Sequence, residues 1–280
     1  MENRIICRYE GQKRGPLLIC LGGMHGNEPA GVLSIQEVAR LLDIESGINP
    51  DFQYRGRLLG LRGNLAALEK KQRFIKRDLN RMLTPEEVRR VQILQPSELI
   101  YEDKECFEII SIIETEINLY APSFTLIMDL HTTTADGGIF TIAAEDEMSM
   151  NLAMGLHAPV VLGMEKQLSG TTLNYFNQPS QKCYCIVFEA GRHNDPQGMH
   201  RSVAAIINCM RNIGSVDQYV VDHRHDGLLI SLSMSLPKVT RLIYHYKIKP
   251  GEHFIMNPGY KNFQQLSAVL VLSSSEKTRQ

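Results

Sequence analysis

The 280-residue sequence contains no tryptophan, and aromatic residues make up only 7% of it. Its net charge is -1, so no basic surplus points to a nucleic-acid or anionic-membrane partner. No apolar run approaches the roughly 20 residues of a membrane helix. The opening "MENRIICRYEG" lacks the apolar core of a secretion signal. The six cysteines are scattered, and Cys183 and Cys185 form a C-x-C with no second pair to complete a structural zinc site. They read as alternate residues of one strand, and the set as reduced thiols of a cytoplasmic protein. Internal repeats and low-complexity stretches are also missing.

What the chain does have is apolar material, at 43%. That is ample for one large core with a small appendage. Short buried-strand runs alternate with helical patterns. "PLLICLGG", "GRLLGLRG", "FTLIMDLHTTT" and "CYCIVFEAG" are consecutive apolar runs, as strands covered on both faces require. Between them, "EPAGVLSIQEVARLLD", "TPEEVRRVQIL", "ECFEIISIIETEINLYA" and "QGMHRSVAAIINCMRNIG" carry helical spacing. The alternation predicts an α/β/α sandwich around a mostly parallel mixed sheet over residues 1–215. From Val216 the texture changes. "LLISLSMSLP", "TRLIYHYKI" and "HFIMNPGY" have period-two or β-rich character, punctuated by Pro237, Pro250 and Pro258. Residues 216–280 therefore read as a small β-rich C-terminal module with a polar tail, "SSSEKTRQ", expected to fray.

The first strand runs into "GGMHGNEPAG". A dinucleotide fingerprint would need glycine where Leu21 stands, and a phosphate loop would need lysine where Asn27 stands. A metal suits the loop better. His25 offers an imidazole and Glu28 a carboxylate, both good zinc ligands, and the glycines let the backbone turn so that both converge. A surface histidine beside a helix-capping glutamate remains the plain alternative. His131 is the best-placed partner, because it ends the strand "LIMDLH" where open α/β sheets carry function. Two histidines and one glutamate leave a fourth position open, as catalytic zinc requires. Asp129, two residues earlier on the same strand face, either orients that imidazole or is simply buried. The rival pair His223 and His225 sits in the charged stretch "DHRHDG", which reads as a solvated turn.

The same logic selects Glu189 in "IVFEAG": a carboxylate after a long apolar strand is paired or used. At the metal's edge of the sheet it could take a proton from activated water. Pairing with Arg192 is the alternative. A third group, "RFIKRDLNRML", packs Arg73, Arg77, Asp78, Asn80 and Arg81 together. Guanidinium groups bind carboxylates bidentately, so the run suits an anionic substrate, or else a solvated helix end.

"GGMHGNEPAG", "RDLNRM", "MDLHTTT" and "FEAG" occur in the order and approximate spacing of the aspartoacylase/succinylglutamate desuccinylase family, which the chain resembles over Leu17 to Gly198. The resemblance implies the zinc carboxypeptidase fold, with one Zn2+ per chain on His25, Glu28 and His131. It implies Glu189 as catalytic base and proton donor, and Arg73, Asn80 and Arg81 as holders of the substrate carboxylate. It also implies a C-terminal β domain that narrows the mouth of the site and can supply a tyrosine, for which Tyr260 is the candidate. One departure stands out. Aspartoacylase carries Thr-Thr-Arg where this chain reads Thr171-Thr172-Leu173, so a preference for aspartate is not expected. The expectation is a zinc-dependent hydrolase of the amide bond of a small N-acyl amino acid, with no nucleic-acid or membrane partner and homo-oligomerisation left open. The alternatives are a carboxypeptidase on small peptides and a non-catalytic binding protein on the same fold.

Overall fold

The computed structural model describes residues 4–218, 223–249 and 251–266, and the backbone of 273–275. Pro250 and the tail residues 276–280 lie outside the described residues. Eight strands form one sheet: β1 (Ile5–Glu10), β2 (Lys13–Gly22), β3 (Arg55–Arg62), β4 (Thr125–Thr133), β5 (Phe140–Ala143), β6 (Val160–Leu162), β7 (Cys183–Arg192) and β8 (Val239–Arg241). Their order is β1-β3-β2-β4-β7-β5-β6-β8. The central strands β3, β2, β4 and β7 run parallel, β1 is antiparallel to β3, and β5 is antiparallel to β7. Nine helices cover it: α1 (Ala30–Ile48), α2 (Leu65–Lys70), α3 (Pro85–Ile93), α4 (Glu102–Tyr120), α5 (Glu147–Met154), α6 (Met164–Gln167), α7 (Thr172–Phe176), α8 (Gly198–Asn212) and α9 (Arg224–Ser233), counted among the described residues.

The continuous apolar runs of β2, β4 and β7 follow from burial on both faces. Leu18, Cys20, Met128, Leu130, Ile186 and Phe188 belong to the core on one face, together with Val38 of α1 and Ile206 of α8. The alternate residues Leu17, Ile19, Leu21, Ile127, Cys185 and Val187 belong to the other core, with Val88 of α3 and Ile109 of α4. This is the expected α/β/α sandwich. Cys183 and Cys185 are buried, free, and two apart on β7, as an alternating strand requires.

The C-terminal stretch differs from its reading as period-two β structure. Leu228–Ser233 lies in helix α9. Leu228, Leu229 and Leu232 suit a helix face as well as a strand face, and all three pack against the core that includes α8. The Arg211 to Asp226 ion pair, 2.7 Å, ties the two helices together. β8 joins the main sheet parallel to β6. A separate two-stranded antiparallel ribbon joins β9 (Phe254–Met256) to β10 (Ser273–Ser275), so the tail's first residues are in a strand. No helix among the described residues is long and apolar enough to cross a membrane.

The loop after β2 is shaped by two glycines. Gly23 has φ 77°, a left-handed conformation that favours glycine. Gly26 lies so close to α2 that an added Cβ would sit 2.0 Å from the carbonyl carbon of Ala67. Gly26→Ala should therefore cost about 1–3 kcal/mol or more. The measurement is the midpoint of denaturant unfolding, and a midpoint equal to the parent's would show that this contact does not constrain the loop.

Candidate active site

The site lies at the C-terminal ends of β2, β4 and β7. His25 and Glu28 come from the loop between β2 and α1, and His131 from β4. Parallel pairing puts His131 in register with Glu189 of β7. The donor atoms of His25, Glu28 and His131 all lie within 4.8 Å of one another, and all three side chains are buried. Glu28 bridges the imidazoles: Oε1 is 2.9 Å from His25 Nδ1 and Oε2 is 3.0 Å from His131 Nδ1. Thr132 N–H also donates to Oε2 at 2.9 Å. The surface-histidine alternative for His25 does not describe this geometry.

Each imidazole is held from behind. His25 Nε2 is 3.0 Å from Asp78 Oδ1, and His131 Nε2 is 2.9 Å from Asp129 Oδ2. Thr172 Oγ1 donates to Asp129 Oδ2 at 2.5 Å. Asn80 closes the frame, with Nδ2 3.3 Å from His131 Nε2 and Oδ1 accepting from Thr172 N–H at 3.0 Å. Carboxylates behind the Nε2 atoms leave both Nδ1 atoms turned toward Glu28. This is how proteins orient imidazoles for a metal. Two imidazole nitrogens and a carboxylate, buried and convergent, fit a zinc ion.

Charge accumulates here. Burial alone would raise the Glu28 carboxyl, but the two imidazoles hold it well below the usual carboxylate range. Burial disfavours the charged His131, yet Asp129 and Glu28 raise it well above an ordinary histidine. Asp78 is likewise lowered: His25 and Arg73 outweigh its burial. Glu189 goes the other way. Burial, reinforced by Glu28 and Asp129, pushes its carboxyl up to about 8, against His131 and Arg73. Its Oε2 is shielded from solvent and has no hydrogen-bond partner among the described residues. Arg192, the alternative partner of Glu189, instead reaches exposed Asp136, 3.4 Å away.

These groups line a cleft of about 170 Å³ that also contains Arg73, Asn80 and Arg81. Arg73 grips Asp78 Oδ2 through Nε at 3.2 Å and Nη2 at 3.0 Å, and its Nη1 lies 3.8 Å from Glu28 Oε1. Arg81 Nη1 donates to the Asn80 carbonyl at 2.6 Å. The lining also includes the apolar Ile142, Met164, Leu168, Leu173 and Val187, and Glu165 among them. Tyr260 does not line the cleft. It precedes Asn262, whose Nδ2 donates to Thr133 Oγ1 at 3.1 Å on the rim. His223 and His225 lie at the exposed start of α9, away from the cleft.

Two contributors carry no signal in the sequence. Thr172 orients Asp129, but there it looks like an ordinary helix-start residue beside the capping Thr171. Glu102 accepts from the backbone N–H groups of Ile75 at 2.6 Å, Lys76 at 3.0 Å and Arg77 at 3.2 Å. It thereby fixes the turn that carries Arg73 and Arg81, although in the sequence it is one more acid in a first helical turn.

The succinylglutamate desuccinylase/aspartoacylase catalytic domain matches residues 14–213. Proteins named probable aspartoacylase from Nostoc sp. and Trichodesmium erythraeum are 28% and 31% identical, over 127 and 125 residues. Each match covers 45% of this chain and 38% of the relative's length. Among solved structures, succinylglutamate desuccinylase from Vibrio cholerae has a TM-score of 0.62 at 16% identity, covering 92% of this chain and 71% of that one. The Vibrio parahaemolyticus protein gives 0.59 at 17%, covering 95% and 73%. These neighbours share the sandwich fold. With the matched domain spanning the loop, both site strands and the basic turn, the chain belongs to the succinylglutamate desuccinylase/aspartoacylase family.

Proposed function

We propose that the protein is a zinc-dependent hydrolase of the amide bond of small N-acyl amino acids, with one Zn2+ per chain held by His25, Glu28 and His131. The observation that carries this reading is the register of His131 with Glu189. It sets a carboxylate oxygen without a partner among the described residues beside the buried donor cluster, in the cleft that holds two arginines. Zinc bound there would supply Lewis acidity to the acyl carbonyl and the attacking water. Glu189 takes the proton from that water and returns it to the departing amine. Arg73 and Arg81 hold the α-carboxylate by charge-assisted hydrogen bonds, with Asn80 fixing the floor beside them. A reducing, cytoplasmic setting suits the six free thiols, five of them buried.

The side-chain end of the substrate meets a different surface. Leu173 lines the cleft where aspartoacylase carries arginine, and among the described residues Arg73 and Arg81 are the only arginine or lysine side chains that line it. Lys166 Nζ reaches Glu145 at 2.9 Å and Arg192 reaches Asp136, and neither lines the cleft. A second substrate carboxylate would be desolvated without a partner, which costs several kcal/mol.

Three measurements test the reading. Purified protein should contain about one zinc per chain. His131→Ala should lose most of it, and Asp129→Asn should weaken binding about 10- to 100-fold in a competition titration. Full metal retention by His131→Ala would remove that residue from the site. Glu189→Gln should keep fold and zinc while turnover falls about 10²–10⁴-fold. A near-parent rate would leave Glu189 a structural role. In a screen of N-acetyl, N-succinyl and N-formyl amino acids, N-acetylmethionine should be hydrolysed at least as well as N-acetylaspartate. A kcat/KM ratio of about 10² in favour of aspartate, worth ~2.7 kcal/mol, would contradict the apolar lining. Cleavage of small peptides in preference to N-acyl amino acids would make the protein a carboxypeptidase.

A further inference from the structure

One group in the cleft is not used by this chemistry. Glu165, in the first turn of α6, lines the cleft, as do Met164, Leu168 and Leu173. Its side chain is only 15% exposed. Oε2 is shut off from solvent and has no hydrogen-bond partner among the described residues. The nearest ammonium, Lys166 Nζ, stands 3.9 Å from the other oxygen and makes its hydrogen bond to Glu145 instead. The carboxylate is not adrift. Its main-chain carbonyl accepts from Asn174 Nδ2 at 2.8 Å, and Asn174 is itself locked into the capping box at the start of α7. A shielded carboxylate oxygen without a donor is costly unless something arrives to satisfy it.

Arg73 and Arg81 line the same cleft, together with the apolar side chains of Ile142, Leu168 and Leu173. A ligand complementary to this lining carries an anion for the arginines, methylene groups for the apolar residues and a cation for Glu165. That is the profile of a diamino acid, whose aliphatic stem packs on apolar surface while its charged head seeks a carboxylate. Resting on the deacylase reading above, we infer that Glu165 is a specificity-determining residue and that the preferred substrates are Nα-acyl amino acids whose side chain ends in an ammonium group. The assignment also deepens the case against aspartate, whose second carboxylate would face Glu165 as well as leucine.

The test uses two matched pairs that differ only by the terminal ammonium: Nα-acetyl-lysine against N-acetylnorleucine, and Nα-acetylornithine against N-acetylnorvaline. The zinc-loaded parent should favour the cationic member of at least one pair by about tenfold or more in kcat/KM, the return of one charge-assisted hydrogen bond. Free lysine or ornithine should inhibit more strongly than norleucine or norvaline. Glu165→Gln, with fold and zinc content confirmed, should bring the ratio near one, chiefly through a higher KM for the cationic substrate. Glu165→Arg should move the preference toward N-acetylaspartate. A parent that hydrolyses the neutral substrates with no cationic preference, or a ratio unchanged in Glu165→Gln because Arg81 already neutralises the carboxylate, overturns this inference and leaves the deacylase reading intact. Failure to hydrolyse any N-acyl amino acid would overturn both.

Discussion

Three carboxylates converge on two imidazoles at one end of the sheet, and the rest of the site depends on how that charge is satisfied. Glu28 stands between His25 and His131, with Asp78 behind the first ring and Asp129 behind the second. Asp129 is fully buried and one of its oxygens has no partner among the described residues. Removing several carboxylates from water costs several kcal/mol for each ion unless positive charge is placed among them. A cation held among these side chains would offset that cost. Glu189 sits just outside this balance. Its Oε2 has no hydrogen-bond partner among the described residues, and burial raises its carboxyl where the imidazoles lower that of Glu28.

The turn that carries Arg73 and Arg81 is fastened by the first turn of α4. Glu102 takes three backbone N–H groups of residues 75–77 and the Asn64 side chain. Glu105 takes the N–H groups of Leu65 and Ala66 at the start of α2 and pairs with Arg4, which is fully buried. Arg4 in turn reaches the carbonyls of Arg62 and Gly63. One chain of charged hydrogen bonds thus connects the first strand, the end of β3, α2 and the turn that carries Arg73, Asp78 and Arg81. Buried networks of this kind hold geometry only when every member is satisfied, which is why these acids lie at a helix start, facing free backbone donors, rather than in the apolar core.

The C-terminal segment reaches the rim of the site through few contacts. Asn262 donates its backbone N–H to the Asp136 carbonyl at 2.7 Å, and Phe263 packs edge-on against Phe140 with ring centroids 5.7 Å apart. Phe140 is in register with Glu189. The segment after β9 therefore borders the strand ends that carry His131 and Glu189.

The sequence alone determined the sandwich, because strands buried on both faces must be apolar throughout and their covering helices must repeat every three to four residues. It also marked His25, Glu28, His131 and Glu189 as candidates, because a polar group beside a long apolar strand is paired or used. It did not determine α9, whose leucines satisfy a strand period as readily as a helix and were committed by packing on α8. Nor did it determine Thr172, Glu102 or Glu165, which stand in ordinary helix-start positions. The partners of the first two are about 25 to 45 residues away, Asp129 for Thr172 and the backbone of residues 75–77 for Glu102, and only the fold brings Glu165 into the cleft that Arg73 and Arg81 also line. Local composition records what a residue is, but whether a buried carboxylate is satisfied depends on which distant donors the fold brings within about 3 Å.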